Sequence, residues 1–491
     1  MNRKDFLKLS LASAGVLAGG TVPFLSSCMP ENTMATGHPV SVTEGNFTTP
    51  LTMPPTTGNS SMTLAAQEVS MPLPGFGTIN GFGYQAGSIL GPSIRVQSGQ
   101  NVSITLSNTL SEATNIHWHG LKVPATMDGH PDNSISQGKS TSYSFTIAQR
   151  AGLYWYHPHA EGTTAKQVFQ GLAGLMVVND SEESALNLPY GLRELFLVIQ
   201  DKRIASGRFT YAPSMMEQMT GYMGEYILVN GLYAPYQDVT TAQYRVRVLN
   251  GSNARIYNLA LSNNAKFTVI GNDGGLLPRP VEVRSLILGP GERADLIVDF
   301  STLAPYSEIY LVSKGFDGGT SQGQQEFKIM KFTITTTGND TFSMPSSLSA
   351  IAPLTEAMAT SSRSFDIANT HSMNSSSGMM QHTINGNVYD SQRIDVTVTR
   401  GTVEKWTFDN SNGKEPHPMH VHGVLFQILS RTGGREALSP LEAGWKDTVL
   451  CMPGEKVSVL IPFDGFTGKF LYHCHNLEHE ESGMMAQYKA V

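Results

Sequence analysis

The sequence predicts an all-β fold of three successive β-sandwich domains, and three observations predict it. A glycine turn followed by an alternating apolar segment occurs three times: Ser136-Gln137-Gly138-Lys139 before 143–147, Gly289-Pro290-Gly291-Glu292-Arg293 before 296–300, and Met452-Pro453-Gly454-Glu455-Lys456 before 457–461. The turn glycines lie 153 and 163 positions apart, one domain length each time. Alternation such as Tyr244-Arg245-Val246-Arg247-Val248-Leu249 has the period of two that a half-buried strand requires. Charged residues make up only 15% of the chain against 48 glycines and 26 prolines, a balance that suits strands joined by turns.

Taken in order, residues 1–28 read as an export signal, with Arg3-Lys4-Asp5-Phe6-Leu7-Lys8 ahead of an apolar run rich in Ala, Gly and Leu. The run is too interrupted by Gly and Pro for a membrane span. Its start resembles a twin-arginine signal with Lys4 in place of the second arginine. Leu25-Ser26-Ser27-Cys28 resembles a lipobox, so Cys28 is expected as an acylated N-terminus, with a plain cleaved signal as the alternative. Residues 29–65, rich in Ser, Thr, Pro and Gly, read as a flexible tether. The first sandwich is expected over 66–185 and the second over 186–335. A Thr/Ser-rich linker follows over 336–365, and the third sandwich over 366–491. The second copy contains no histidine, so it offers no imidazole ligand and is expected to space the other two.

A net charge of −7, with no Lys/Arg cluster beyond the N-terminus, argues against nucleic acid as a partner. Three cysteines make no disulfide framework; Cys451 is expected as a buried thiol acting as a small hydrophobe.

Chemistry concentrates in the histidines. Fourteen histidines scattered at random over 491 residues give about 0.4 His-x-His pairs. There are four: His117/His119, His157/His159, His420/His422 and His473/His475. On a strand, each pair presents both imidazoles to one face. In Tyr472-His473-Cys474-His475 the cysteine faces the other way, so one strand serves two metal centres. Cys474, His479 and Met484, with His417 as a second imidazole, are the ligand types of a blue-copper electron-transfer site. Two pairs fall in the first domain and two in the third, so the remaining imidazoles must meet at the interface of those domains.

These motifs, in the order His117-Trp118-His119-Gly120, His157-Pro158-His159, His417-Pro418-Met419-His420-Val421-His422 and His473-Cys474-His475 with His479 and Met484, resemble those of three-domain bacterial multicopper oxidases. The resemblance runs from about Gly81 to the C-terminus. It implies three cupredoxin-like Greek-key β-sandwich domains and four copper ions. His117 and His420 would hold the type 2 ion, and His119, His157, His159, His422, His473 and His475 the type 3 pair. His417, Cys474 and His479, with axial Met484, would hold the type 1 ion. Asp128 and Glu480 would relay protons or else hydrogen-bond ligand histidines. His38, His130, His371 and His382 are left without a ligand role.

The implied activity is oxidation of a small reductant, phenol, aromatic amine or metal ion, with dioxygen reduced to water. Electrons would enter through an exposed type 1 histidine, His417. Laccase-like breadth is the expectation and a dedicated Cu(I) oxidase the alternative. Met373, Met379 and Met380, with His371 and His382, lie where cuprous-oxidising relatives carry a longer insertion, and Gly413 and Glu415 lack the Asp and Met some of them have. Met215, Met216, Met219 and Met223 read as gap-filling core, with a soft-metal surface as the alternative. Two rivals come from other classes: a copper-free scaffold of the same fold, which would have lost ligands, and a copper nitrite reductase, whose motif set differs. A periplasmic or cell-envelope monomer is expected, touching the membrane only through Cys28.

If Cys28 is acylated, the native protein should sediment with membranes and Cys28→Ser should not, because no other segment near it can anchor the chain. Soluble mature protein beginning at another residue would restore the plain signal.

Overall fold

The computed structural model describes residues 40–317, 322–368 and 381–491. The expected signal 1–28 with Cys28, the first part of the tether with His38, and His371, Met373, Met379 and Met380 lie outside the described residues. No described helix is long and apolar enough to cross a membrane.

Among the described residues, six sheets form three sandwiches. In the third, Ala359–Asp366, Val403–Asp409, Lys456–Pro462 and Gln427–Thr432 face Val396–Val398, Met485–Ala490, Gly468–Cys474, His417–Val421 and Thr448–Cys451. The filling between them includes Phe365, Trp406, Phe408, Tyr472 and Tyr488, together with Met419, Cys474 and Met484. Burying each of the large side chains contributes about 2–3 kcal/mol, so the strands that carry the motifs are held by a dense apolar layer.

Each sandwich mixes parallel and antiparallel neighbours. Ser61–Leu73 runs parallel to Asn101–Asn108, Glu194–Lys202 to Gln243–Asn250, and Ala359–Asp366 to Val403–Asp409. Parallel neighbours need a chain crossing, here made by moving to the opposite sheet and back. The repeated turn blocks occupy equivalent places: Ser140–Thr146, Arg293–Asp299 and Lys456–Pro462 each pair antiparallel with the second member of those parallel pairs. Asn230-Gly231 and Asn385-Gly386 have positive φ at both residues, the geometry of a tight hairpin turn.

The structure differs from the sequence reading at three places. The tether does not extend to residue 65: Val42 and Phe47 are buried, Thr49–Pro50 pairs with Pro235–Thr240, and Thr56–Thr57 pairs with Ser93–Gln97. A Ser/Thr-rich composition reports a lack of periodicity, and a short segment that finds a sheet edge needs none. The linker likewise ends before Ala359–Asp366, whose Arg363 pairs with Glu404. Arg208–Phe209, expected in the second sandwich, adds to a sheet of the first.

The Tyr244–Leu249 alternation does not separate core from water. Arg245 and Arg247 are 3% and 0% exposed, paired with Glu183, Glu194 and Asp295. The preceding segment, with the short helix Ser181–Ala185, supplies Glu183 and Glu194 to that face, and buried guanidinium groups persist because carboxylates compensate their lost hydration.

Candidate metal centre

Strand alternation divides the C-terminal motif between two places. Cys474 ends Gly468–Cys474 and points into the apolar layer of its own sandwich, opposite Met419 in the register. The chain then turns through the short helix Leu477–Glu481, which brings His479 back beside it. The Cys474 Sγ lies 3.5 Å from His417 Nδ1 and 3.7 Å from His479 Nδ1, and those nitrogens are 3.1 Å apart. Met484 is fully buried in the same layer, and its carbonyl accepts from the Cys474 backbone N–H at 3.1 Å.

On the other side, two strand pairs from different sandwiches oppose one another. His117 sits across from His157, and His420 across from His473. His117 Nε2 is 3.4 Å from His420 Nε2, His159 Nε2 3.2 Å from His473 Nε2, and His422 Nε2 3.0 Å from His473 Nε2. His119 Nδ1 lies 3.4 Å from His157 Nε2, and the His475 ring is 4.9 Å from that of His119. Ten imidazoles, Cys474 and Met484 are at most 1% exposed.

The outer nitrogens fix the tautomers. His117 Nδ1 donates to the Asp128 carbonyl, His420 Nδ1 to the Asp447 carbonyl, and His157 Nδ1 to the Pro158 carbonyl, at 2.7, 2.8 and 2.9 Å. His422 Nδ1 meets Asp128 Oδ2 at 2.7 Å, while His473 Nδ1 and His159 Nδ1 flank Glu480 at 3.1 and 3.5 Å. Carbonyl oxygens only accept, so the proton of these rings lies outward and the Nε2 lone pair inward. Burial pulls His117, His119, His159, His422 and His475 well down, and His157 and His420 to about 3, keeping these rings neutral.

Inward lone pairs 3.0–3.4 Å apart make no hydrogen bond and repel. His475 has both nitrogens buried without a partner, and His417 its Nε2. A cation among them resolves both features. Burial also pushes the Cys474 thiol well up, so a thiolate there requires an adjacent positive charge. Imidazole, thiolate and thioether donors together suit copper.

The sequence-predicted residues are thus brought together, with two corrections. His417 is not exposed: its relative exposure is 0%. It starts a strand paired to Thr448–Cys451 and lies beneath neighbouring segments. The methionine group is not uniformly core either: Met219 and Met223 are buried, but Met215 and Met216 are 61% and 47% exposed on the helix Met215–Thr220. Cys451 is buried as expected, its thiol pushed up to about 12 by burial.

Sequence reasoning missed four contributions. The Met219 carbonyl takes the His479 Nε2 proton at 3.0 Å, and His382 stacks on His479 with ring centroids 4.0 Å apart. Asp447 Oδ1 lies 3.0 Å from His119 Nε2, and Arg293 grips the same carboxylate. Burial opposes the charge of Asp447, but Arg293 overcomes it and holds the carboxyl below its usual range. The signal available for Asp447 is its place in Gly444-Trp445-Lys446-Asp447-Thr448, charged residues opening an otherwise apolar strand.

The chain matches family models described as "Multicopper oxidase" over residues 79–183, 217–334 and 360–491. It is 34% identical over 441 residues to "Multicopper oxidase mco" of Staphylococcus epidermidis, covering 88% of this chain and 89% of that one. It is 36% identical over 377 residues to "Cell division protein FtsP" of Escherichia coli, covering 74% and 75%. The crystal structure of the McoA multicopper oxidase from Aquifex aeolicus superposes with a TM-score of 0.82 at 33% identity, covering 91% of this chain and all of that one.

The repeated turn glycines offer a matched test of the cluster's packing. Gly138, Gly291 and Gly454 have φ of +74°, +80° and +85°; a Cβ at Gly291 meets the His475 ring at 3.0 Å, whereas at the other two nothing lies within 4 Å. Alanine should cost each about 1 kcal/mol in backbone strain, read as thermal stability. Only Gly291→Ala should also lose copper per chain, and equal copper loss in Gly454→Ala would show the ring contact irrelevant.

Proposed function

The chain belongs to the multicopper oxidase family, and on that premise we propose that it couples four one-electron oxidations of a small reductant to reduction of dioxygen to two waters, with laccase-like breadth towards phenols and aromatic amines. The observation that carries this reading is completeness. Ten imidazoles and Cys474 converge in two buried groups, with Met484 buried in the apolar layer that holds Cys474, and a non-catalytic scaffold has no use for so many desolvated ligands.

In this reading His417, Cys474 and His479 with Met484 hold the type 1 ion, and His117 and His420 the type 2 ion. His119, His157 and His475, together with His159, His422 and His473, hold the type 3 pair. Bound copper supplies one-electron redox chemistry at the thiolate and multi-electron reduction of dioxygen at the cluster. The chain supplies the path between them, because Cys474 serves one centre while its bonded neighbours His473 and His475 face the other.

Protons need a separate route. Glu480 faces His159 and His473 and also lines a cavity of about 420 Å³ with Glu161, Thr164, Tyr389 and Glu481. It can therefore take a proton from water in the cavity and hand it inward. Asp128 is sealed off, with Oδ2 on His422 and Oδ1 buried without a hydrogen-bond partner. Its part is to orient His422 and to hold a proton beside it, since burial pushes its carboxyl well up.

At the thiolate site the outer nitrogen of His479 is tied to Met219, while that of His417 has no partner. Electrons enter through His417 despite its burial. A second reading, a dedicated Cu(I) oxidase, draws support from exposed Met215 and Met216 on the helix whose Met219 carbonyl holds His479, since thioethers favour Cu(I). Oxygen uptake with phenols, Cu(I) and Fe(II) on copper-loaded protein decides between them. Turnover with none of the three would overturn the oxidase.

Cys474→Ser should abolish the intense visible band and turnover while leaving much of the cluster's metal, and Cys451→Ser should change neither. Glu480→Gln keeps hydrogen bonding but not titration. Anaerobic bleaching by substrate should stay near normal in that variant while reoxidation by oxygen slows, and equal slowing of both steps would make the residue structural.

A further inference from the structure

His382 has no ligand role, yet it lies in face contact with a residue read as a ligand. Its ring stacks on His479 with centroids 4.0 Å apart and planes 23° from parallel, and it lies edge-on to His417 with centroids 6.3 Å apart. Both nitrogens of His479 are already engaged. Nδ1 lies 3.1 Å from His417 Nδ1 and 3.7 Å from the Cys474 Sγ, and Nε2 meets the Met219 carbonyl at 3.0 Å. What remains of that imidazole is its two faces, and His382 covers one of them.

The chain fixes His382 in that place. It is followed by the tight turn at Asn385-Gly386, and Asn385 is tied to the strand Ala359–Asp366: its N–H donates to the Asp366 carbonyl at 2.8 Å and its Oδ1 accepts from the Asp366 N–H at 2.7 Å. The Tyr389 N–H donates to the Gly483 carbonyl at 3.0 Å, and a Cβ at Gly483 would fall 3.1 Å from the His382 carbonyl oxygen, so this segment lies directly on the chain that leaves the helix Leu477–Glu481. Ser482 joins the two rings' backbones to each other. Its hydroxyl donates to the His479 carbonyl at 3.0 Å and meets His382 Nδ1. The cavity of about 420 Å³ comes up to this contact, with Gln381, Ser482 and Gly483 in its wall, whereas His382 and His479 are both 0% exposed. The stacked ring therefore covers a ligand face close to a space that water can fill.

We propose that His382 is a positioning residue of the thiolate site: its flat ring seals one face of His479 against water and so holds the site's reduction potential up, which sets the range of reductants able to give it an electron. The inference rests on the reading of His479 as a type 1 ligand. One thiolate beside copper leaves a net positive charge in the oxidised state and none in the reduced state, so water next to a ligand favours the oxidised form and its exclusion favours the reduced one. The plain alternative is packing. A ring that merely fills space contributes to stability and leaves the potential where it was, and a flat ring without polar atoms separates its face from its nitrogens.

The test uses full-length, copper-loaded wild type, His382→Ala and His382→Phe, with copper per chain measured for each. Poising the proteins against redox mediators at a single pH and reading the visible thiolate band gives the ratio of reduced to oxidised centre. At the wild-type midpoint His382→Ala should lower that ratio by about tenfold, which is about 59 mV for a one-electron couple. His382→Phe keeps the flat face without the polar atoms and should stay within about twofold of wild type. Should His382→Ala not fold or not load the thiolate site, His382→Gln, which keeps bulk and polar atoms without the face, carries the test with a fall of about fivefold. A ratio within about twofold of wild type, or above it, in the variant that carries the test would reduce His382 to packing. A fall in His382→Phe as large as in that variant would trace the effect to the polar atoms of the imidazole and overturn the proposal as well. Wild-type protein that takes up copper without the visible band would instead overturn the functional reading, whereas a failed proposal leaves that band in place, so the two failures are distinct.

Discussion

His117, His157, His420 and His473 present a lone pair inward because the other nitrogen of each is held by a backbone carbonyl, which accepts and never donates, and much of the architecture serves to place such oxygens. The Asp128 carbonyl holds His117 and its side chain holds His422, so one residue of the first sandwich orients one ring from its own sandwich and one from the third. The Asp447 carbonyl and side chain do the same for His420 and His119 in the opposite sense. The interface is therefore specified by two reciprocal aspartates as much as by the histidines. A relative slip of the sandwiches by a strand spacing of about 4.8 Å would break the two bonds that cross between them, His422 to Asp128 and His119 to Asp447.

The second sandwich takes on a different meaning in this light. Lacking histidine, it reads from sequence as a spacer, yet it reaches both centres. The Met219 carbonyl fixes His479, and Glu478, next to that ring, accepts from the Tyr222 backbone N–H, the Tyr211 hydroxyl and the Asn253 amide. Gly291 lies against His475, and Arg293 reaches Asp447. Polar groups that steer ligands need not be ligands, and a search for ligand residue types passes over them.

This explains what the sequence made legible and what it did not. The four His-x-His pairs, Cys474 and the repeated turns could be read because strand periodicity and ligand chemistry both leave local marks. Three sandwiches followed from Gly138, Gly291 and Gly454, whose positive φ recurs at equivalent turns. Arg245, Arg247 and Arg293 could not be placed, because a charged residue on an alternating strand looks the same whether it faces water or a carboxylate from a distant segment. The burial of His417 escaped for a related reason. Exposure depends on what covers a strand, and the covering comes from elsewhere in the chain. Thr49–Pro50 and Thr56–Thr57 were hidden by the reverse error, since short strands that merely complete an edge carry no amphipathic pattern of their own.

Burial sets the final constraint, on how electrons and protons share so small a space. Cys474 and the cluster rings are sealed from water, which raises the cost of any uncompensated charge near them. An electron moved inward along Cys474 therefore calls for a compensating proton close by. Of the two carboxylates beside the cluster rings that the functional reading uses, Asp128 is enclosed while Glu480 borders the cavity of about 420 Å³. Within that reading the covalent step from Cys474 to His473 and the contact from His473 to Glu480 meet at one ring, with His473 Nδ1 3.1 Å from the carboxylate. On that reading, charge arriving through the peptide chain and charge arriving from the cavity would neutralise each other across a single imidazole, which would let a desolvated site be reduced repeatedly without accumulating net charge.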